Sequence, residues 1–131
     1  KEANRSPWTL NSYQESFEDQ NHHFVCLRNE DEIIGCCVYS MVLNEAEILQ
    51  LVIKRAQQNN GYGYLLFKHV CDKLSASNIE QIFLEVMVGN TSAINLYHKL
   101  GFNIVGNRKN YYNVEGKYID AILMAKTFFN F

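Results

Sequence analysis

Three features of this chain place reactive groups where they could do chemistry. Glu85 stands in the apolar run Ile82-Phe83-Leu84-Glu85-Val86. A carboxylate there costs free energy unless it is paired or used, so Glu85 is a candidate proton acceptor. Tyr97 carries a phenol with an ordinary pKa of about 10, suited to giving a proton to a leaving group. Gln58-x-x-Gly61-x-Gly63 precedes a helical pattern. Glycines let a backbone approach a ligand closely, and the N–H groups at a helix start suit a pyrophosphate. Each feature also has a plainer explanation. Glu85 fits the solvent-facing side of a strand, Tyr97 fits a core-facing helix stripe, and two glycines fit an ordinary turn. The loop is neither a Walker loop, lacking Lys-Ser or Lys-Thr after Gly63, nor a three-glycine dinucleotide fingerprint.

The elements that would position these groups are legible in outline. Ser6-Pro7-Trp8-Thr9 reads as a helix entry, followed by Leu10, Tyr13 and Phe17 on one face. Strands are expected over 23–28, 32–42 and 45–53, with a turn at Asn29-Glu30-Asp31. Tyr62, Leu65, Leu66, Val70 and Leu74 space out a helix opened by Gly61 and ending near Ser75. A strand follows over 79–88. Asn90 and Thr91 would cap a second helix carrying Ala93, Leu96, Tyr97 and Leu100, which Gly101 ends. Two last strands are expected over 102–105 and 118–126, separated by a polar, tyrosine-bearing loop. This order makes an α/β (α+β) domain with a mixed sheet covered by helices. The strands at 45–53 and 79–88, joined by a helix, should be parallel neighbours in a right-handed crossover.

In that context Gln58-x-x-Gly61-x-Gly63 resembles the acyl-CoA pyrophosphate motif of the GNAT superfamily of N-acetyltransferases. Asn90-Thr91-Ser92-Ala93-Ile94-Asn95-Leu96-Tyr97-His98-Lys99-Leu100-Gly101-Phe102 resembles that superfamily's second, more specific signature. Leu84-Glu85-Val86, Arg108-Lys109-Asn110-Tyr111-Tyr112 and Asp120-Ala121, with Pro7-Trp8-Thr9, are similar to the bacterial ribosomal-protein alanine N-acetyltransferases. The resemblance covers nearly the whole chain. It implies one GNAT domain over 1–131 that lacks the family's first strand, with acetyl-CoA as co-substrate. The acceptor it implies is the N-terminal α-amine, an Ala end, of a small-subunit ribosomal protein.

The resemblance also implies roles. Glu85 would take a proton and Tyr97 would return one to the departing thiolate. Leu51, Val52 and Ile53 would offer backbone groups to the pantetheine arm and an oxyanion-stabilising N–H. Asn59, Asn60, Gly61, Tyr62, Gly63 and Tyr64 would wrap the pyrophosphate, although Asn59 and Asn60 stand where relatives often carry a basic residue. Asn90 would hold the pantetheine amide, cap its helix, or both. Trp8, Tyr13, Tyr111 and Tyr112 could line an acceptor groove, or simply be core.

Composition bounds the alternatives. With 131 residues and 47% hydrophobic content the chain is long and apolar enough for one real core. A net charge of −2 provides no electrostatic footprint for nucleic acid or anionic lipid. No apolar run reaches the roughly 20 residues of a membrane helix, and no signal-peptide pattern opens the chain. A cytoplasmic enzyme is expected, with no direct nucleic-acid or membrane partner. Cys26, Cys36, Cys37 and Cys71 form no C-x-x-C pair and are expected to be buried free thiols. His22, His23, His69 and His98 lack metal spacing, and His69 should pack beside the 61–75 helix. Two other functions stay open: transfer to a lysine side chain or small amine, and a non-catalytic acyl-CoA sensor.

Overall fold

The structure, a computed structural model, describes residues 22–128. The helix entry expected near Pro7, with Trp8 and Tyr13, lies outside them. The elements are β1 (His22–Asn29), β2 (Glu32–Val42), β3 (Glu45–Ile53), α1 (Tyr62–Ala76), β4 (Gln81–Met87), α2 (Thr91–Lys99), β5 (Asn103–Val114) and β6 (Lys117–Thr127). They form one six-stranded sheet in the order β1-β2-β3-β4-β6-β5. Every neighbouring pair is antiparallel except β3 and β4, which are parallel and joined through α1. The mixed α/β architecture is the one expected.

The core lies between the helices and one face of the sheet. Leu66, Phe67, Val70, Cys71 and Leu74 make one stripe along α1 at helical spacing. They belong to one cluster with Tyr39, Ile48, Leu51, Ile82, Leu84, Tyr97 and Phe102. In β4 burial alternates strictly: Ile82, Leu84 and Val86 are buried, and the residues between them are half-buried. Strand alternation therefore puts Glu85 on the face away from this core.

The parallel ladder of β3 and β4 runs from Glu45↔Gln81 to Ile48↔Leu84 and ends there, although both strands continue. On their outer sides both stay held, β3 to β2 as far as Gly35↔Ile53 and β4 to β6 as far as Met87↔Ala121. A register shift in β3 explains the parting. Tyr39 faces Ile48 and Val38 faces Gln50, so Leu49 is an extra residue. A bulge bends and twists its strand, and this one falls where β3 leaves β4. The sheet opens into a split between the ends of β3 and β4.

Three expectations are corrected. The tyrosine-bearing loop between the last strands does not exist. β5 runs on to Val114 and turns directly into β6 through Glu115 and Gly116, both at positive φ (51° and 83°). Almost every β5 residue is exposed, so no alternation marked the part beyond Val105 as strand. Two of the four cysteines are not free thiols: Cys26 and Cys36 form a disulfide across β1 and β2. The hairpin register sets them opposite one another, symmetric about the turn, while alternation sends Cys37 into the core. Cys37 and Cys71 are the buried free thiols. His69 lies on the exposed side of α1 instead of packing beside it.

Candidate active site

The glycine loop forms the first part of the site. After β3 a single helical turn, Arg55–Gln57, leads to Asn59 at φ 65° and Gly61 at φ 80°. α1 then starts, and its first backbone bond runs from the Leu65 N–H to the Gly61 carbonyl, at 3.0 Å. The N–H groups of Tyr62, Gly63 and Tyr64 precede that bond and have no acceptor within the helix. No acidic residue stands in the first turn, and no side chain caps it. The positive end of α1 is thus available to an anion. A Cβ on Gly63 would lie 3.7 Å from Leu96 and 3.8 Å from Ile53, so α1, β3 and α2 converge at this turn. Lys99 places its ammonium 5.0 Å from the Tyr64 ring centroid, a positive charge on the flank of the loop.

β3 forms one wall of the split. Leu51, Val52 and Ile53 are all buried. Val52 and Ile53 are kept close to β2 by Gly35, where an added Cβ would meet Ile53 Cδ1 at 2.5 Å and the Val52 carbonyl oxygen at 2.9 Å. A glycine inside a strand marks a close approach of this kind, and that signal was present in Ile33-Ile34-Gly35-Cys36. Asn90, at the head of α2, accepts a hydrogen bond from the Ala93 N–H at Oδ1, 3.4 Å away, and so serves as the helix cap.

Glu85 sits on β4 with its side chain 17% exposed. Its Oε2 is shut off from solvent and, among the described residues, meets no hydrogen-bond donor in good geometry. Arg108 Nε stands 3.3 Å from it as an ion-pair contact. The Arg108 guanidinium rests 5.3 Å from the Tyr111 ring, and Tyr111 meets Tyr112 edge-on at 5.1 Å. The Tyr112 phenol is pushed above its ordinary pKa, first by burial, then by the Glu85 charge, then by Tyr111. Tyr112 is thus within electrostatic range of Glu85.

Tyr97 is on the opposite side, in α2, buried and packed against Phe67 at 5.2 Å and Phe102 at 6.1 Å. Its phenol is pushed up by burial first, then by Cys37 and Tyr112. Tyr112 is close enough to act electrostatically on Tyr97 and to feel Glu85. Tyr111 and Tyr112, expected in a loop, are on β5 next to Arg108. Arg108 itself, Gly35 and Lys99 were not identified as site residues from sequence. For Arg108 the only signal was its place in Arg108-Lys109-Asn110-Tyr111-Tyr112.

A mixed sheet split between two parallel strands, with a helix N-terminus at one strand end and a carboxylate on the other strand, defines a class of acyl-CoA-dependent acyltransferase. The chain belongs to the acetyltransferase (GNAT) family, whose model matches residues 1–102. Among similar proteins, the [ribosomal protein bS18]-alanine N-acetyltransferase of Salmonella typhimurium is 31% identical over 94% of this chain and 82% of its own. A putative [ribosomal protein bS18]-alanine N-acetyltransferase of Bacillus subtilis is 32% identical over 93% of this chain and 80% of its own. The crystal structure of the ribosomal-protein-S18-alanine N-acetyltransferase from Escherichia coli superposes with a TM-score of 0.87 at 29% identity, covering 95% of this chain and 80% of that one.

Proposed function

We propose that this protein acetylates the N-terminal α-amine of a protein, an alanine end of a small-subunit ribosomal protein, using acetyl-CoA. The observation that carries the acceptor is the likeness, over nine-tenths of the chain, to enzymes named for that reaction. The site geometry is compatible with it. Glu85 faces the sheet side away from the core, beside Arg108, Tyr111 and Tyr112, where a peptide end could lie. No helix among the described residues is long and apolar enough to cross a membrane.

The residues present fit acetyl-CoA. The open N–H groups of Tyr62, Gly63 and Tyr64, with the turn at Asn59, Asn60 and Gly61, would hold the pyrophosphate. Leu51, Val52 and Ile53 would hold the pantetheine arm along the split, with Asn90 at its far wall. Bound acetyl-CoA supplies an activated acetyl thioester. At pH 7 roughly a tenth of α-amines are already neutral, against fewer than about one lysine in a thousand. An α-amine therefore needs only modest help, and Glu85 supplies it by accepting the ammonium proton, directly or through water. Burial keeps the Tyr97 phenol protonated. Its pKa lies above the roughly 8.5 of a thiol, so its main service to a departing sulfur is a hydrogen bond. Holding the two reactants in place supplies much of the rate.

The test is a steady-state thiol-release assay with two peptides. One carries a free N-terminal Ala, and the other has that amine blocked and a Lys available. Turnover on the free Ala end alone is expected. Turnover on the blocked peptide moves the acceptor to lysine. Silence on both, with acetyl-CoA bound, moves it to a small amine or leaves a sensor.

A further inference from the structure

Arg108 begins two strands away from Glu85. It is on β5, Glu85 is on β4, and β6 runs between them. Neighbouring strands are about 4.8 Å apart, so the guanidinium has to cross the whole of β6 to reach the carboxylate. It crosses at Ala121, which pairs with Arg108 on one side and Met87 on the other and is fully buried. Its small side chain leaves the path clear. Gly106 and Leu123 continue the same face, and a Cβ on Gly106 would come within 3.1 Å of Leu123. Leu123, the β6 residue opposite Glu85, therefore lies over Gly106, on the β5 side of its strand.

The arrangement is poorly explained by stability. An ion pair whose cation is 54% exposed contributes little to folding. What the pair can set is the place of the carboxylate. Glu85 Oε2 is buried with no hydrogen bond, and Arg108 is its one ion-pair partner among the described residues. The guanidinium is itself braced against the Tyr111 ring. We propose that Arg108 is a positioning residue for acetyl transfer: it fixes the Glu85 carboxylate by Oε2 and turns Oε1 toward the amine. The inference rests on Glu85 being the proton acceptor.

A double-mutant cycle tests it, with Arg108→Met, Glu85→Gln and the pair, assayed on whichever amine the wild type turns over: the free Ala peptide, the lysine peptide or a diamine. Wild-type activity on the last two alone would overturn the N-terminal reading and still leave the cycle readable. Arg108→Met is expected to lower kcat about 10- to 100-fold, a share of the 10²–10⁴ a general base contributes. The affinity for acetyl-CoA and the melting temperature should hold. Arg108→Lys should recover part of the loss, and it carries the cycle if the Met variant does not fold. In the Glu85→Gln background the Arg108 change should cost less than about twofold, because the group it positions is already gone. An equal loss in both backgrounds, or an unchanged kcat in the single variant, overturns the proposal.

Discussion

Glu85 and Tyr97 belong to opposite sides of the sheet, and their surroundings suit different tasks. Glu85 faces the side where a guanidinium and two tyrosines gather, and Tyr97 is packed among Phe67 and Phe102. Glu85→Gln keeps the shape and removes the proton acceptor. Its kcat should fall by about 100-fold or more while the Kd for acetyl-CoA, read by calorimetry, stays the same. A matching loss of binding would make Glu85 a structural residue. Tyr97 allows a pH test. Burial raises its pKa above the ordinary phenol value, so it keeps its proton throughout the neutral and mildly alkaline range. Between pH 7 and about 9 its ionisation should produce no fall in kcat, and Tyr97→Phe should lower the profile without changing its shape. A decline above pH 8 that vanishes in Tyr97→Phe would contradict this assignment.

At the scale of the element, the split depends on how β3 is held. Leu49 bulges where the β3–β4 ladder ends, and Gly35 lets β2 press against Val52 and Ile53. Gly35→Val would drive a side chain into the Val52 carbonyl, which is backbone and cannot swing aside. It should cost about 1–3 kcal/mol in a urea melt and weaken acetyl-CoA binding as β3 moves. Unchanged affinity in a folded variant would detach β3 from the cofactor. Gly61→Val acts differently. A Cβ there meets nothing within 4 Å, but the residue sits at φ 80°, a left-handed conformation costing other residues about 1–2 kcal/mol. The loop should rearrange, so acetyl-CoA affinity should fall more than stability does. These two glycines separate the wall of the split from its phosphate end.

At the scale of the whole molecule, the core holds neutral thiols. Burial pushes Cys71 up to about 11, and it raises Cys37 as well. A thiol whose pKa is raised in the folded state stabilises the fold fully below its unfolded value, about 8.5, and loses that contribution as pH rises through the folded value. The melting temperature should therefore hold up to about pH 8.5 and then fall toward pH 11. The decline should be shallower in Cys71→Ala, compared with its own value at pH 7. An equally steep decline would assign the alkaline loss to other groups.

Most of the elements were legible because their signals are local. The α1 stripe from Leu66 to Leu74, the apolar run of β4 and the cap at Asn90 depend on neighbours a few residues away. The glycine loop and the Asn90–Phe102 signature likewise stand complete in short stretches, and they pointed to the family without any coordinates. β5 was legible only at its start, over 103–105, because the exposed residues beyond carry no alternation. The remaining features depend on register between distant segments: Cys26 opposite Cys36, the bulge that parts β3 from β4, and Arg108 reaching over Ala121 to Glu85. Spacing along one strand says which side chains share a face, but not which residue of another strand stands opposite them. The sequence by itself determined the elements, the family and the candidate acid and base. Only the tertiary structure decided which partners meet those groups, because strand pairing is set by packing across the whole sheet.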